Sequence, residues 1–183
     1  MSFRVPLLAG LVAFVLSGAA SEYASIQHKL DDIDAERFQA GSRVQLTTAE
    51  LTAYAEHEMP DGVRNPRLQL SDGVVTGAAT VDFVKLRRGQ GQEPGWLMER
   101  LLNGEFPVSV TARVRSAKGR ATVDVQRVTI GTVEIDGRSL DFLIQNVLLP
   151  LYPDAVVGQP FELGHRVERL QVQPGGVNVW IGR

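Results

Sequence analysis

The sequence predicts an α+β fold in which a strongly curved, bulged antiparallel sheet wraps around a central apolar helix. Three observations carry this expectation. From Arg43 onward apolar and polar residues alternate with period two, in runs separated by Gly-containing turns. Twice the alternation slips by one residue, at Arg127 and Val128 and again between Val167 and Leu170, the mark of a β-bulge that bends its strand. Residues 139–154, "SLDFLIQNVLLPLYPD", form the third: between Leu140 and Tyr152 only Asp141, Gln145 and Asn146 are clearly polar. A helix apolar on nearly every side must be covered on most of them, which one flat sheet does not do.

Composition sets the frame. The 183 residues are 44% hydrophobic and 22% charged, enough for a real core. A net charge of −2 gives no basic footprint for a nucleic-acid backbone. The absence of cysteine removes disulfides, thiolate metal sites, Cys nucleophiles and an acylated cysteine together.

The N-terminus reads as a secretion signal. Arg4 supplies the positive n-region, "VPLLAGLVAFVL" (5–16) the apolar h-region, and "SGAA" (17–20) the small residues before a cleavage site. An uncleaved anchor is the alternative; the run is shorter than the ~20 residues that span a bilayer, and Pro6 lies within it. The chain is therefore divided into residues 1–20 as signal peptide or anchor, 21–41 as an amphipathic helix and linker, and 42–183 as a single α+β domain. In the second of these, Tyr23, Ile26, Leu30 and Ile33 make one narrow apolar stripe and Gly41 is a plausible stop. Such a helix rests on the domain, stands as a solvated stalk or forms a short coiled-coil seam. Asp31, Asp32 and Asp34 diverge around it and are no metal site.

"RVQLT" predicts a strand with Val44 and Leu46 on one face. The helix after it opens with Thr47 and Glu50 at capping-box spacing, carries Leu51, Tyr54 and Ala55 on one side, and ends at "MPDG". "VRNPRLQL" and "VVTGAATVDFVKL" flank Asp72-Gly73, a hairpin signal. In the second strand Val75, Gly77, Ala79, Val81 and Phe83 share a face, and the small residues Gly77, Ala78 and Ala79 invite close approach by another element or a sharp bend. A second pair of strands turns at "SAKG" and a third at "QPGG". Between them, "PGWLMERLLNG" predicts a flanking helix stopped by Asn103-Gly104, and Ser139 is a candidate N-cap for the central one, with Asp141 in its first turn.

No catalytic signature emerges. His28, His57 and His165 are far apart, and "EHE" (56–58) spreads its side chains by about 100° per residue around a helix. There is no G-x-S-x-G elbow. "RRGQGQEPG" (87–95) lacks the Gly-Lys-Ser/Thr ending of a phosphate loop. No metal or cofactor is implied, and the expectation is a protein that is not an enzyme.

Any gap between the apolar helix and the concave sheet forms a groove for an acyl chain, whose burial is worth roughly 0.8 kcal/mol per CH₂. Its expected lining is Phe83, Trp96, Leu97, Leu101, Phe142, Leu143, Val147 and Leu148, each supplying apolar area; the alternative is that these side chains fill an ordinary dry core. Lys85, Arg87 and Arg88, beside the loop that leads to Trp96, are candidates for anionic head-group or membrane-surface contact, or a solvated strand end.

"PFELGHRVERLQVQPGGVNVWIGR" (160–183) is similar to the C-terminal end of small bacterial secreted proteins of the LmeA-like type, and "AELTAYAEHEMPDGVRNPRLQLSDGVVTGAATVDFVKL" resembles their helix, strand and "dG-x-v-x-g" hairpin. Those proteins are related in architecture to the tubular lipid-binding (TULIP) superfamily, where a rolled sheet wraps a helix and holds lipid. The resemblance implies an extracytoplasmic protein, periplasmic or secreted, that binds a lipid or other apolar molecule in envelope maintenance. It brings no catalytic motif. The second reading is a structural or partner-binding envelope protein with a dry core and no ligand.

Overall fold

The structure, a computed structural model, describes residues 7–89, 91, 93, 95, 96, 100, 103–145 and 156–183; of residues 7–17 and 143 it describes the backbone only. Helix α1 (Leu7–Asp34) leads to β1 (Arg43–Thr47) and α2 (Thr48–Glu58). The hairpin β2 (Val63–Ser71) and β3 (Val74–Asp82) follows, then α3 (Phe83–Gly89), β4 (Glu105–Ala117), β5 (Arg120–Ile130) and β6 (Val133–Ile135). Helix α4 (Gly137–Leu143), the short β7 (Phe161–Glu162) and the hairpin β8 (Val167–Gln173) and β9 (Gly176–Ile181) complete the order. The fold is α+β, and every strand pairing is antiparallel.

The described strands form two sheets, where one was expected. Six strands run β2-β3-β4-β5-β6, with β7 paired to β5; the other three run β1-β9-β8. The small sheet meets the hairpin turns of the large one. Gly73 N–H donates to Val172 O at 3.0 Å and Gly119 N–H to Glu168 O at 2.7 Å. Leu170 N–H donates to Ser116 Oγ at 2.9 Å.

The predicted bulges are present, each offset slightly from the phase slip. Thr111 pairs with Arg127 and Ala112 with Val125, leaving Gln126 extra; Val167 pairs with Ile181 and Arg169 with Trp180, leaving Glu168 extra. A third bulge was not anticipated. Arg64 pairs with Thr80 and Arg67 with Ala78, so Asn65 and Pro66 together oppose Ala79, and Asn65 takes a left-handed φ of 53°. Pro66 has no N–H for the ladder, which restricts it to an edge strand or a bulge; β2 supplies both.

Two element boundaries correct the sequence reading. β3 was expected to continue through Phe83 to Leu86, but it ends at Asp82, whose carboxylate accepts the Lys85 backbone N–H at 3.0 Å in the manner of a helix cap. That bond, made to the charged form, lowers the Asp82 pKa. At the start of α4 the cap position belongs to Asp136, which makes no side-chain cap bond; Ser139 lies inside the helix, and the first turn holds no acidic residue, so Asp141 comes later than expected. Of the expected central helix the structure describes this segment, in which Leu140 is buried and Phe142 is 66% exposed, and residues 146–155 lie outside the described residues.

The described core is centred on α1 and the three-stranded sheet. Ile26 and Ile33 of α1 pack with Val44 and Leu46 of β1 and with Val179 and Ile181 of β9. Ile26, 1% exposed, is the largest fully buried side chain among the described residues. A buried ionic network fixes this helix to the next two elements. Glu50, 3% exposed, takes both Lys29 contacts at 2.6 and 2.8 Å, the Ser25 hydroxyl at 2.6 Å and the Thr47 backbone N–H at 2.8 Å. The Thr47 hydroxyl accepts the Glu50 N–H at 3.1 Å, so the predicted capping box is complete.

Candidate functional site

Strand register gives the six-stranded sheet two unlike faces, because residues directly opposite in an antiparallel pair share a side. One row reads Leu68, Gly77, Val110, Val128, Ile135 from β2 to β6; the next reads Ala79, Val108, Ile130, Val133. On the reverse, rows read Gln69, Thr76, Thr111, Arg127 and Arg67, Ala78, Ser109, Thr129, Glu134. The apolar face is only partly covered. Val110, on a central strand, remains 36% exposed, and Val133 is 61% exposed.

A cavity of about 200 Å³ lies on that face, lined almost wholly by apolar atoms. Ala55 of α2, Met59 just after it, and Gly77 and Ala79 of β3 contribute to it, with Val108 and Val110 of β4. Pro66 and Leu68 add wall from β2, and Val81 from the far end of β3. The room comes from small side chains. A Cβ built on Gly77 meets one atom within 4 Å, Leu68 Cδ2 at 3.7 Å, so the space above this glycine is open. The volume is below the roughly 300–1,000 Å³ of a typical small-molecule site and suits a slender apolar segment.

Of the residues singled out in the sequence, the described ones lie elsewhere. Phe83 is half-buried and its ring packs against Phe106 at 6.2 Å. Trp96 is 75% exposed, and neither it nor Phe83 nor Phe142 lines the cavity. The side chain of Leu143, and Leu97, Leu101, Val147 and Leu148 altogether, are outside the described residues. Sequence reasoning, which looked for bulk, did not single out the lining of this cavity. The available signal was the opposite one, the run of small residues at Gly77, Ala78 and Ala79.

The three cations sit on α3, which follows directly on the strand whose Val81 lines the cavity. Lys85 is exposed and lies 3.6 Å from Asp82. Arg87 is half-buried, with its Nε without a hydrogen-bond partner among the described residues; Arg88 is exposed. The histidines make separate local contacts: His28 with Asp32 at 3.0 Å, His57 with Glu58 at 3.2 Å and stacked on Tyr23, His165 with the Asp34 carbonyl at 3.1 Å. Among the described residues no three His, Asp or Glu side chains converge as metal ligands. No helix among them is long and apolar enough to cross a membrane.

No family model, curated protein or solved structure matches the chain.

Proposed function

We propose that this chain is an extracytoplasmic, non-enzymatic binding protein for a lipid or other apolar ligand, held on the apolar face of the six-stranded sheet and serving envelope maintenance. The observation that carries the reading is the unfilled apolar cavity over Gly77 and Ala79, on a face that leaves Val110 and Val133 open to solvent. A face of this kind is a binding surface, since a sheet without a ligand gains by covering it. The cavity takes part of one acyl chain, and the remainder lies along the open rows of valine. We include in the proposal a strongly curved sheet around the apolar stretch 139–152, in the TULIP manner; the three bulges favour such bending. Lys85, Arg87 and Arg88 serve as peripheral membrane or head-group contacts. Export through residues 1–20 fits the same picture: Gly18, Ala19, Ala20 and Ser21 are exposed and precede Ile26, the first buried position among the described side chains of α1, so cleavage after Ala20 leaves the described core intact.

Gly77→Leu tests this reading. Its side chain grows into open space, so the variant is expected to gain about 1 kcal/mol of stability from the filled cavity and the lost glycine flexibility. Uptake of a fluorescent fatty acid is expected to fall at least about tenfold, since two CH₂ groups of lost burial already amount to about 1.6 kcal/mol. Full uptake by the folded variant would remove the cavity from the binding site.

A further inference from the structure

The polar face of the large sheet holds a second hollow, of about 360 Å³, that the apolar reading does not use. The polar residues of its lining are Asn65, Arg67, Thr80, Ser109 and Thr129. No carboxylate is among its described lining residues, and Ala78 and Gly131 keep it shallowly open.

Arg67 differs from most arginines of its face, and Arg113 shares its lack of an acidic partner among the described residues. On the same face Arg64 pairs with Glu105, Arg115 with Asp124 at 2.6 Å and Arg127 with Glu134 at 3.2 Å. Among the described residues Arg67 has no acidic partner, although it borders a hollow able to receive one. The β2 bulge is what puts it there. With the extra residue, Arg64 and Arg67, three apart, both fall on the polar face, and Leu68 and Leu70 take the apolar one. Bulges recur beside functional sites because they re-aim side chains in this way. Arg67 also borders the apolar cavity, and the two hollows further share Ala78, Ala79 and Val108. They lie on opposite faces of the sheet and share walls in β2, β3 and β4, with Arg67 of the bulged edge strand common to both.

We propose that this hollow is an oxyanion subsite for a phosphate-type group, bound by the Arg67 guanidinium with support from the three hydroxyls and the Asn65 amide. A planar guanidinium is suited to two oxygens of one phosphate, and hydroxyls donate to the rest. A ligand that reaches round the β2 edge at Arg67 from the apolar cavity to the subsite is an anionic amphiphile; that second step rests on the function proposed above, whereas the subsite itself does not.

The test uses the full chain and three probes: inorganic phosphate by calorimetry, and decyl phosphate and decanol by displacement of the apolar fluorophore N-phenyl-naphthylamine. Decyl phosphate is expected to displace the fluorophore at about one tenth of the decanol concentration, the scale of one charge-assisted contact. Arg67→Gln should erase that advantage, with decanol displacement by the same variant as the reference because Arg67 borders both hollows, while Arg67→Lys retains part of it. Arg67→Gln with the advantage intact would overturn the subsite. Inorganic phosphate binding that disappears in Arg67→Gln supports the subsite with the free anion as ligand; an Arg67-dependent advantage without inorganic phosphate binding supports it with a lipid head group. Uptake of the fluorophore and decanol with no phosphate preference sinks the subsite and keeps the apolar reading. Arg67-dependent phosphate binding with no apolar uptake does the reverse.

Discussion

Glu50→Gln is expected to cost the fold about 3 kcal/mol at neutral pH, and the cost should shrink as pH falls. Burial alone raises the Glu50 pKa. The hydrogen bonds from Lys29, Ser25 and the Thr47 N–H, with the Lys29 charge, outweigh it and hold the carboxyl at about 2, against an ordinary value of 4.5. A folded-state pKa below the unfolded one means stabilisation that is fully present above pH 4.5 and is lost as pH falls toward about 2. The shift corresponds to roughly 3 kcal/mol at about 1.36 kcal/mol per unit. Gln keeps the size and an acceptor but leaves the Lys29 ammonium, 30% exposed, without its counter-charge. Urea denaturation at pH 7 and near pH 2.5 checks both halves. The wild type should lose much of its margin over the variant between them, and a constant margin would mean that the charge on Glu50 is not what holds α1, α2 and β1 together.

Ile26→Ala is expected to cost about 4 kcal/mol, within the roughly 2–5 kcal/mol range for buried Leu or Ile truncations. Ile26 is 1% exposed and packs with Val44, Leu46, Val179 and Ile181, so the surrounding strands have little freedom to collapse into the vacated space. Ala is a better helix former than Ile, and any gain from that is well under 1 kcal/mol. The comparison is with Gln27→Ala on the exposed side of the same helix, expected to change stability by less than about 0.5 kcal/mol. Equal, small effects at the two positions in a chemical denaturation series would make α1 an accessory to the domain. The expected contrast makes it part of the core.

Local features of this fold were legible in the sequence, and long-range ones were not. Val44 and Leu46 alternate within β1, Asp72-Gly73 turns the first large hairpin, and the Thr47 and Glu50 pair caps α2 because each depends on residues within a few positions. The phase slips located two bulges to within a residue or two for the same reason. Asn65-Pro66 carried a third such signal, masked by the otherwise regular strand around it. α3 was misread because Val81 and Phe83 extend the period of two, while Val84 and Leu86, both buried, fit a strand as well as a helix. Only the Asp82 to Lys85 cap decides between them. The placement of the core under α1 needs strands β1, β8 and β9, drawn from opposite ends of the chain. The cavity likewise combines α2, β2, β3 and β4, and its mark is the absence of side-chain bulk at Gly77 and Ala79, which a search for large apolar residues passes over.

Native mass spectrometry with organic extraction, on wild type and Gly77→Leu purified from the cells that produce them, tests the binding function most directly. The account predicts a stoichiometric adduct on the wild type that extracts as lipid and is missing from the variant. A clean unliganded mass for both, with no uptake of added phospholipid, would contradict it and leave a structural or partner-binding protein with a dry core.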